Sequence, residues 1–199
     1  MFVKHNAHKI LGLHLIHGHF RLHKNRILVG TNFENPAGRW TKATKFHALQ
    51  DTRYHGHIFV VTGGAEGMLA YEFQEGPLPD MSAVNPDFIS EFINYILTHK
   101  LAGLLGLQVL CDAKPSMMEL VIDEGTVMIE LDAVKNTVPT RQTGWMFEAI
   151  GGNPRVCQAN ETHAKMNSGN HKVYNAGKPF PILEDIADLK AALADAGVI

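Results

Sequence analysis

The residues best able to do chemistry in this sequence are its histidines, 12 among 199 residues. The tripeptide His-Gly-His occurs twice, as His17-Gly18-His19 and as His55-Gly56-His57. Side chains two apart on a β-strand share a face. His17, His19, Arg21 and His23 are therefore expected to project together, as are His55 and His57. Two such imidazoles stand ~6–7 Å apart along the backbone, and both can ligate one metal at ~2.0–2.1 Å from a ring nitrogen. If the two strands are neighbours, four imidazoles converge. Neutral imidazole suits zinc or another divalent transition metal, and a metal with an open position activates water or polarises a carbonyl. Without a metal, an imidazole titrates near working pH and serves as a general acid or base. The plain alternative is that these histidines decorate a hydrated sheet face or hydrogen-bond within the core.

The candidate catalytic set is thus His17, His19, His55 and His57, with Glu130 as the carboxylate, and the candidate metal ligands are the same four histidines. Glu119 and Asp132 lie on the same acidic stretch as Glu130; solvated strand charge is the simpler role for all three. In many small β-barrel enzymes a His-x-His pair is followed closely by an acid and later by another histidine. That pattern is not completed here, because the next acid after His57 is Glu66 and after His19 is Glu34. Residues 61–67 are similar to the glycine-rich turn of short-chain dehydrogenases, and Tyr174 and Lys178 have the spacing of their catalytic pair. That turn must open a helix to hold a pyrophosphate. Here it runs into Met68–Phe73, which reads as a strand, so the similarity is expected to be coincidental.

Charge is unevenly spread along the chain. Residues 1–50 hold eight Lys/Arg, one acid and seven of the histidines, whereas residues 51–133 hold three Lys/Arg and thirteen acids. Basic strands lying beside acidic ones in one sheet would account for this. A basic surface for an anionic ligand or nucleic acid is the sharper reading, but the charges are dispersed rather than run together.

The elements that must position these groups read as follows. Residues 10–23 form a strand broken by Gly12 and Gly18, followed by a short strand over 26–29 and a long polar connection over 31–53 in which Phe33 and Trp40 pack back on the body. Residues 55–62 and 68–73 are strands turning at Gly63-Gly64. Asn85-Pro86-Asp87 opens an amphipathic helix with Phe88, Phe92 and Ile96 on one stripe, and His99 sits in its last turn. Residues 105–110 form a buried strand. Residues 118–123 and 126–132 form a hairpin with one core face and one acidic, wet face. Strands over 143–149 and 156–160 precede a loop over 161–180, where His163 and His171 lie, and a second helix runs over 181–195 until Gly197 stops it.

This is an α+β fold with a curved, mostly antiparallel sheet, barrel-like if it closes, and two principal helices. The length suits a single globular domain over 1–199. Two cysteines, Cys111 and Cys157, allow one bridge but no secreted framework. The polar N-terminus is unlike a signal peptide, and the longest apolar stretch is too short to span a membrane, so a cytoplasmic location is expected. The leading functional expectation is a small-molecule enzyme of hydrolase, lyase or isomerase type with a histidine-based polar pocket, metal-assisted or not. The alternative is a binding module in which the basic face and Trp40 hold an anionic ligand, nucleic acid or protein partner. Exposed strand edges would favour a homodimer.

Overall fold

Two helices each bury one apolar stripe, and around each stripe lies a separate core. In the computed structural model, residues 1–18, 25–45, 53–65, 67–110, 116–123, 125–159, 161–167, 172–173 and 180–199 are described. Their contacts divide into two compact units, one of Met1–Gly18, His47–Ala113 and Thr143–Ala159, the other of His19–Phe46, Lys114–Gln142 and Asn160–Ile199. The chain passes between the units five times. No single linker marks a boundary, which is why the sequence reads as one domain.

The first unit holds β1 (Leu11–Leu15), β4 (Tyr54–Val61), β5 (Met68–Glu75), α1 (Asp87–Thr98), β6 (Leu105–Val109), β10 (Gly144–Ile150) and β11 (Asn153–Gln158). Its strands lie in the order β11-β10-β1-β6-β4-β5, and each paired neighbour is antiparallel. Helix α1 begins where expected: the Asn85 side chain accepts the Asp87 N–H at 2.9 Å. It ends as Lys100 turns left-handed (φ 56°) and the Leu101 N–H reaches back to the Ile96 carbonyl. Between these ends Phe88, Phe92 and Ile96, spaced four apart, are fully buried with Phe2, Leu11, Leu107 and Val109. His99 lies against the Tyr95 ring, with centroids 4.3 Å apart.

The second unit holds β2 (Arg26–Phe33), β3 (Gly38–Lys45), β7 (Met117–Ile122), β8 (Gly125–Glu130), β9 (Thr137–Gln142), β12 (Glu161–Met166) and α2 (Ile186–Asp195). Its order is β2-β3-β8-β7-β12-β9, with one parallel pair, β7 with β12. The fold is therefore α+β with two helices and mostly antiparallel strands, as the sequence patterning implies.

Five elements depart from the sequence reading. The first strand ends at Leu15 rather than at His23. The expected connection over 31–53 is instead largely strand: β2 runs to Phe33 and pairs with β3 over eight residues each. Residues 137–142 and 161–166 also pair as strands, although their polar sequences carry little apolar alternation. Helix α2 starts at Ile186 because the Asp185 carboxylate accepts the N–H groups of Ala187 and Asp188, leaving Ile182 outside the helix and exposed. The hairpin of β7 and β8 is present, but its acidic face is not wet: every residue from Gly125 to Ile129 is buried. A strand central between β3 and β7 has no open side in the ladder. Gly125 is required at its turn, since its φ is +128° and a Cβ would lie 2.0 Å from the Thr41 carbonyl oxygen. Basic β3, with Arg39, Lys42 and Lys45, pairs with β8, whose one acid is Glu130; the register sets Arg39 opposite Met128, so this ladder brings no opposite charges face to face. Trp40 is 2% exposed in the core under α2, and Lys42 lies over its ring. That placement removes Trp40 as a platform for an outside ligand.

Candidate functional site

The sheet of the first unit has two unlike faces. Leu11, Leu13, Leu107 and Phe59 pair across β1, β6 and β4 and pack toward α1. The residues alternating with them are polar and buried. His14, Gln108, His57, His55, Gln74 and Glu72 are each no more than 9% exposed. Register explains the grouping: Gln108 stands opposite Ile58, Gln74 opposite His55, and Glu72 opposite Ile58. Burying this many polar groups on one face is costly unless they are hydrogen-bonded or needed for chemistry.

Room for the larger side chains comes from glycine. His14 stands between Gly106 on one neighbouring strand and Gly144 on the other. A Cβ at Gly144 would crowd the Gln108 side-chain oxygen at 3.2 Å. Gly56 serves the opposite face. A Cβ there would meet the Phe59 ring at 2.5 Å, so it is an aromatic ring that fills the space beside the His-Gly-His backbone.

Strand β4 carries an irregularity at His57. Gly56 pairs with Phe73 and Ile58 with Glu72, which leaves His57 as the extra residue of a bulge. Bulges re-aim side chains and recur beside active sites. Here the result is that the Gln108 Nε2 faces the His57 Nε2 at 3.5 Å, a long contact. His55 is held differently. Its Nδ1 lies 2.8 Å from the Gly76 carbonyl oxygen. A carbonyl can only accept, so Nδ1 carries the proton and the Nε2 lone pair is left for other work. That Nε2 is buried and meets no hydrogen-bonding partner among the described residues.

His17 lies beyond the end of β1. Its Nδ1 donates to the Leu15 carbonyl at 2.6 Å, and its ring stacks on His14 with centroids 5.4 Å apart. His19, with Arg21 and His23, lies outside the described residues. β1, which leads to His17, and β4, which carries His55 and His57, are not neighbours, because β6 stands between them. His14 is opposite Gly106 and Ile58 opposite Gln108, so His57 stands about three positions short of the level of His14, on the side away from His17, and one strand beyond β6. That is ~10 Å along the strands and a similar distance across them; His17 and His55 are further apart still. The register brings His55 and His57 to one place and leaves His17 at another.

Glu130 belongs to the second unit, where its Oε1 accepts the Ala37 N–H at 2.9 Å and closes the β2–β3 turn. The buried carboxylate beside His57 is instead Glu72 on β5. Also in the second unit, Glu119 and His163 stand opposite each other on β7 and β12, with a ligand atom of each within 4.8 Å. His14, Gln108 and Glu72 were missed from sequence. For His14 a signal was present, since Gly12 and His14 alternate strictly with Leu11, Leu13 and Leu15. For Gln108 and Glu72 there was none.

Cys157 is a free thiol whose pKa is pushed up by desolvation and by its neighbour Glu148; it stays protonated at neutral pH and is a poor nucleophile. Tyr174 and Lys178 lie outside the described residues, and the glycine turn at 63–64 leads into β5 rather than into a helix. Among the described residues no helix is long and apolar enough to cross a membrane. No family model, curated protein or solved structure matches this chain.

Proposed function

We propose that the protein is a small-molecule enzyme working by imidazole acid–base chemistry at the polar face of the first unit, with His55 and His57 as the proton-transfer groups and Glu72 as the accompanying carboxylate. The observation that carries this reading is the fixed tautomer of His55, which presents a buried Nε2 lone pair on the same face as His57. A base so oriented needs no rearrangement before it takes a proton. The His57 Nε2 faces the Gln108 amide at a long 3.5 Å, a contact that a substrate's own hydrogen bond would replace. Lyase, isomerase and hydrolase chemistry all use such a pair. A zinc or similar divalent ion is the metal-assisted version, and the Nδ1-to-carbonyl bond of His55 is the usual orienting partner of a metal-bound imidazole.

The test is turnover across a panel of small-molecule hydrolase, lyase and isomerase substrates, with His55→Gln and His57→Gln measured beside the wild type. We expect each variant to lose at least ~100-fold in kcat/KM with an unchanged unfolding midpoint. Absence of turnover on every substrate, or equal turnover in the variants, contradicts the proposal. Elemental analysis of untagged protein separates the two versions: stoichiometric metal lost in both variants supports metal assistance.

A further inference from the structure

The opposite face of the same sheet holds a second feature, independent of the histidines. A cavity of about 420 Å³ lies within the first unit, between α1, the sheet and the N-terminal segment. Leu13, Phe92 and Phe147 line its interior, Phe2 closes one side, and Tyr95 and Val156 stand at its edge. Phe92 is 2% exposed, whereas Tyr95 and Val156 are 48% and 61% exposed, so these two stand on the outer side of the lining. Protein cores seldom leave voids larger than a water molecule, while ligand pockets run to ~300–1,000 Å³ with mainly hydrophobic and aromatic walls.

The lining sets the chemistry of the occupant. It contains no charged side chain, its polar side-chain group is the Tyr95 hydroxyl, and the lining residue Met1 carries the α-ammonium. An ion drawn inside would lose its water, and no lining side chain carries a charge to pair with it. Apolar cavities stay dry and take apolar guests. Phe2 stacks on Phe147 with centroids 4.2 Å apart at 17°, giving a flat aromatic wall. The segment bearing Phe2 is tied down outside the cavity. The Lys4 Nζ and His5 Nε2 both contact one oxygen of Glu91 on α1, at 2.8 and 2.7 Å, and the Asn85 N–H donates to the His5 carbonyl.

We propose that this cavity is a binding site for an uncharged, predominantly hydrocarbon small molecule, entering between Tyr95 and Val156. The direct test is fluorescence titration of the full chain with N-phenyl-1-naphthylamine, a neutral aromatic probe. We expect saturable enhancement, displacement by 1-octanol at least ten times better than by octanoate, and at least tenfold weaker binding in Val156→Trp, whose indole would obstruct the mouth. His55→Gln and His57→Gln should bind the probe as the wild type does. Amide shift mapping gives a readout that does not depend on any variant folding: probe-induced changes should centre on residues 1–3, 92–96, 105 and 147–156. No saturable enhancement, equal displacement by octanoate, a folded Val156→Trp that binds as the wild type does, or shifts centred elsewhere would each overturn the assignment.

Discussion

Each unit places one helix on six strands, yet the two have used their interiors differently. Among the described residues, fourteen buried hydrophobic residues form one cluster under α2, from Phe33 and Trp40 to Leu193 and Val198; under α1 the corresponding cluster holds nine. In the second unit Glu130 closes on Ala37, Asp185 caps the start of α2 and Lys190 reaches the Glu34 and Asn35 carbonyls, while Arg39, Thr41, Thr126 and Thr162 are buried. The first unit buries histidines, amides and a carboxylate on one sheet face and keeps a cavity on the other. The difference teaches where to look for function. Locally unfavourable features gather where chemistry or binding requires them, and among the described residues the larger share of buried polar side chains lies in the first unit.

Core truncation should break or confirm this contrast with the largest effect. Leu189→Ala, in the fully buried stripe of α2, is expected to cost about 2–5 kcal/mol in denaturant unfolding. Leu13→Ala is half-buried and already borders the cavity, so it should cost less than about 2 kcal/mol. Equal losses at the two positions would mean that both cores are packed alike.

A smaller, pH-dependent effect sharpens the account of the cavity wall. Lys4, and next to it His5, hold the Glu91 carboxyl below the usual carboxylate range, against a small opposing effect of desolvation. A carboxylate with a depressed folded pKa stabilises the fold above its unfolded value and loses that contribution as pH falls through the folded one. Glu91→Gln should therefore lower the thermal midpoint at pH 7, and the gap from wild type should close as pH drops below the ordinary value of 4.5. A gap that is constant with pH would show that the clamp is not electrostatic.

What could be read from sequence follows from which interactions are local. The strands of β4, β7 and β8 and the helix α1 declare themselves through apolar period and capping, as in Asn85-Pro86-Asp87. β3 does not, because it lacks the apolar alternation that marks a strand, and β12 does so only weakly, with Ala164 and Met166 alternating with His163 and Lys165; β9 is mostly exposed and contains Pro139. The start of α2 was set too early because Pro181 and Ile182 extend the apparent stripe, whereas the Asp185 cap decides the boundary. At the site, the shared face of His55 and His57 was legible from spacing alone. Their separation from His17 was not, since the insertion of β6 between β1 and β4 is a matter of non-local strand order. The partners Gln108 and Glu72 arrive through that same pairing and leave no trace near His57 in sequence.

The central claim is that the buried polar face of the first unit is kept for chemistry rather than for stability. Replacing both members of a buried polar pair by apolar groups of similar size is nearly neutral or stabilising when the pair serves no structural purpose. The decisive measurement is the unfolding free energy of the His57→Leu/Gln108→Leu double variant. Our account predicts stability equal to or above that of the wild type; a loss of about 2 kcal/mol or more would show that the pair holds the fold together, and would contradict it.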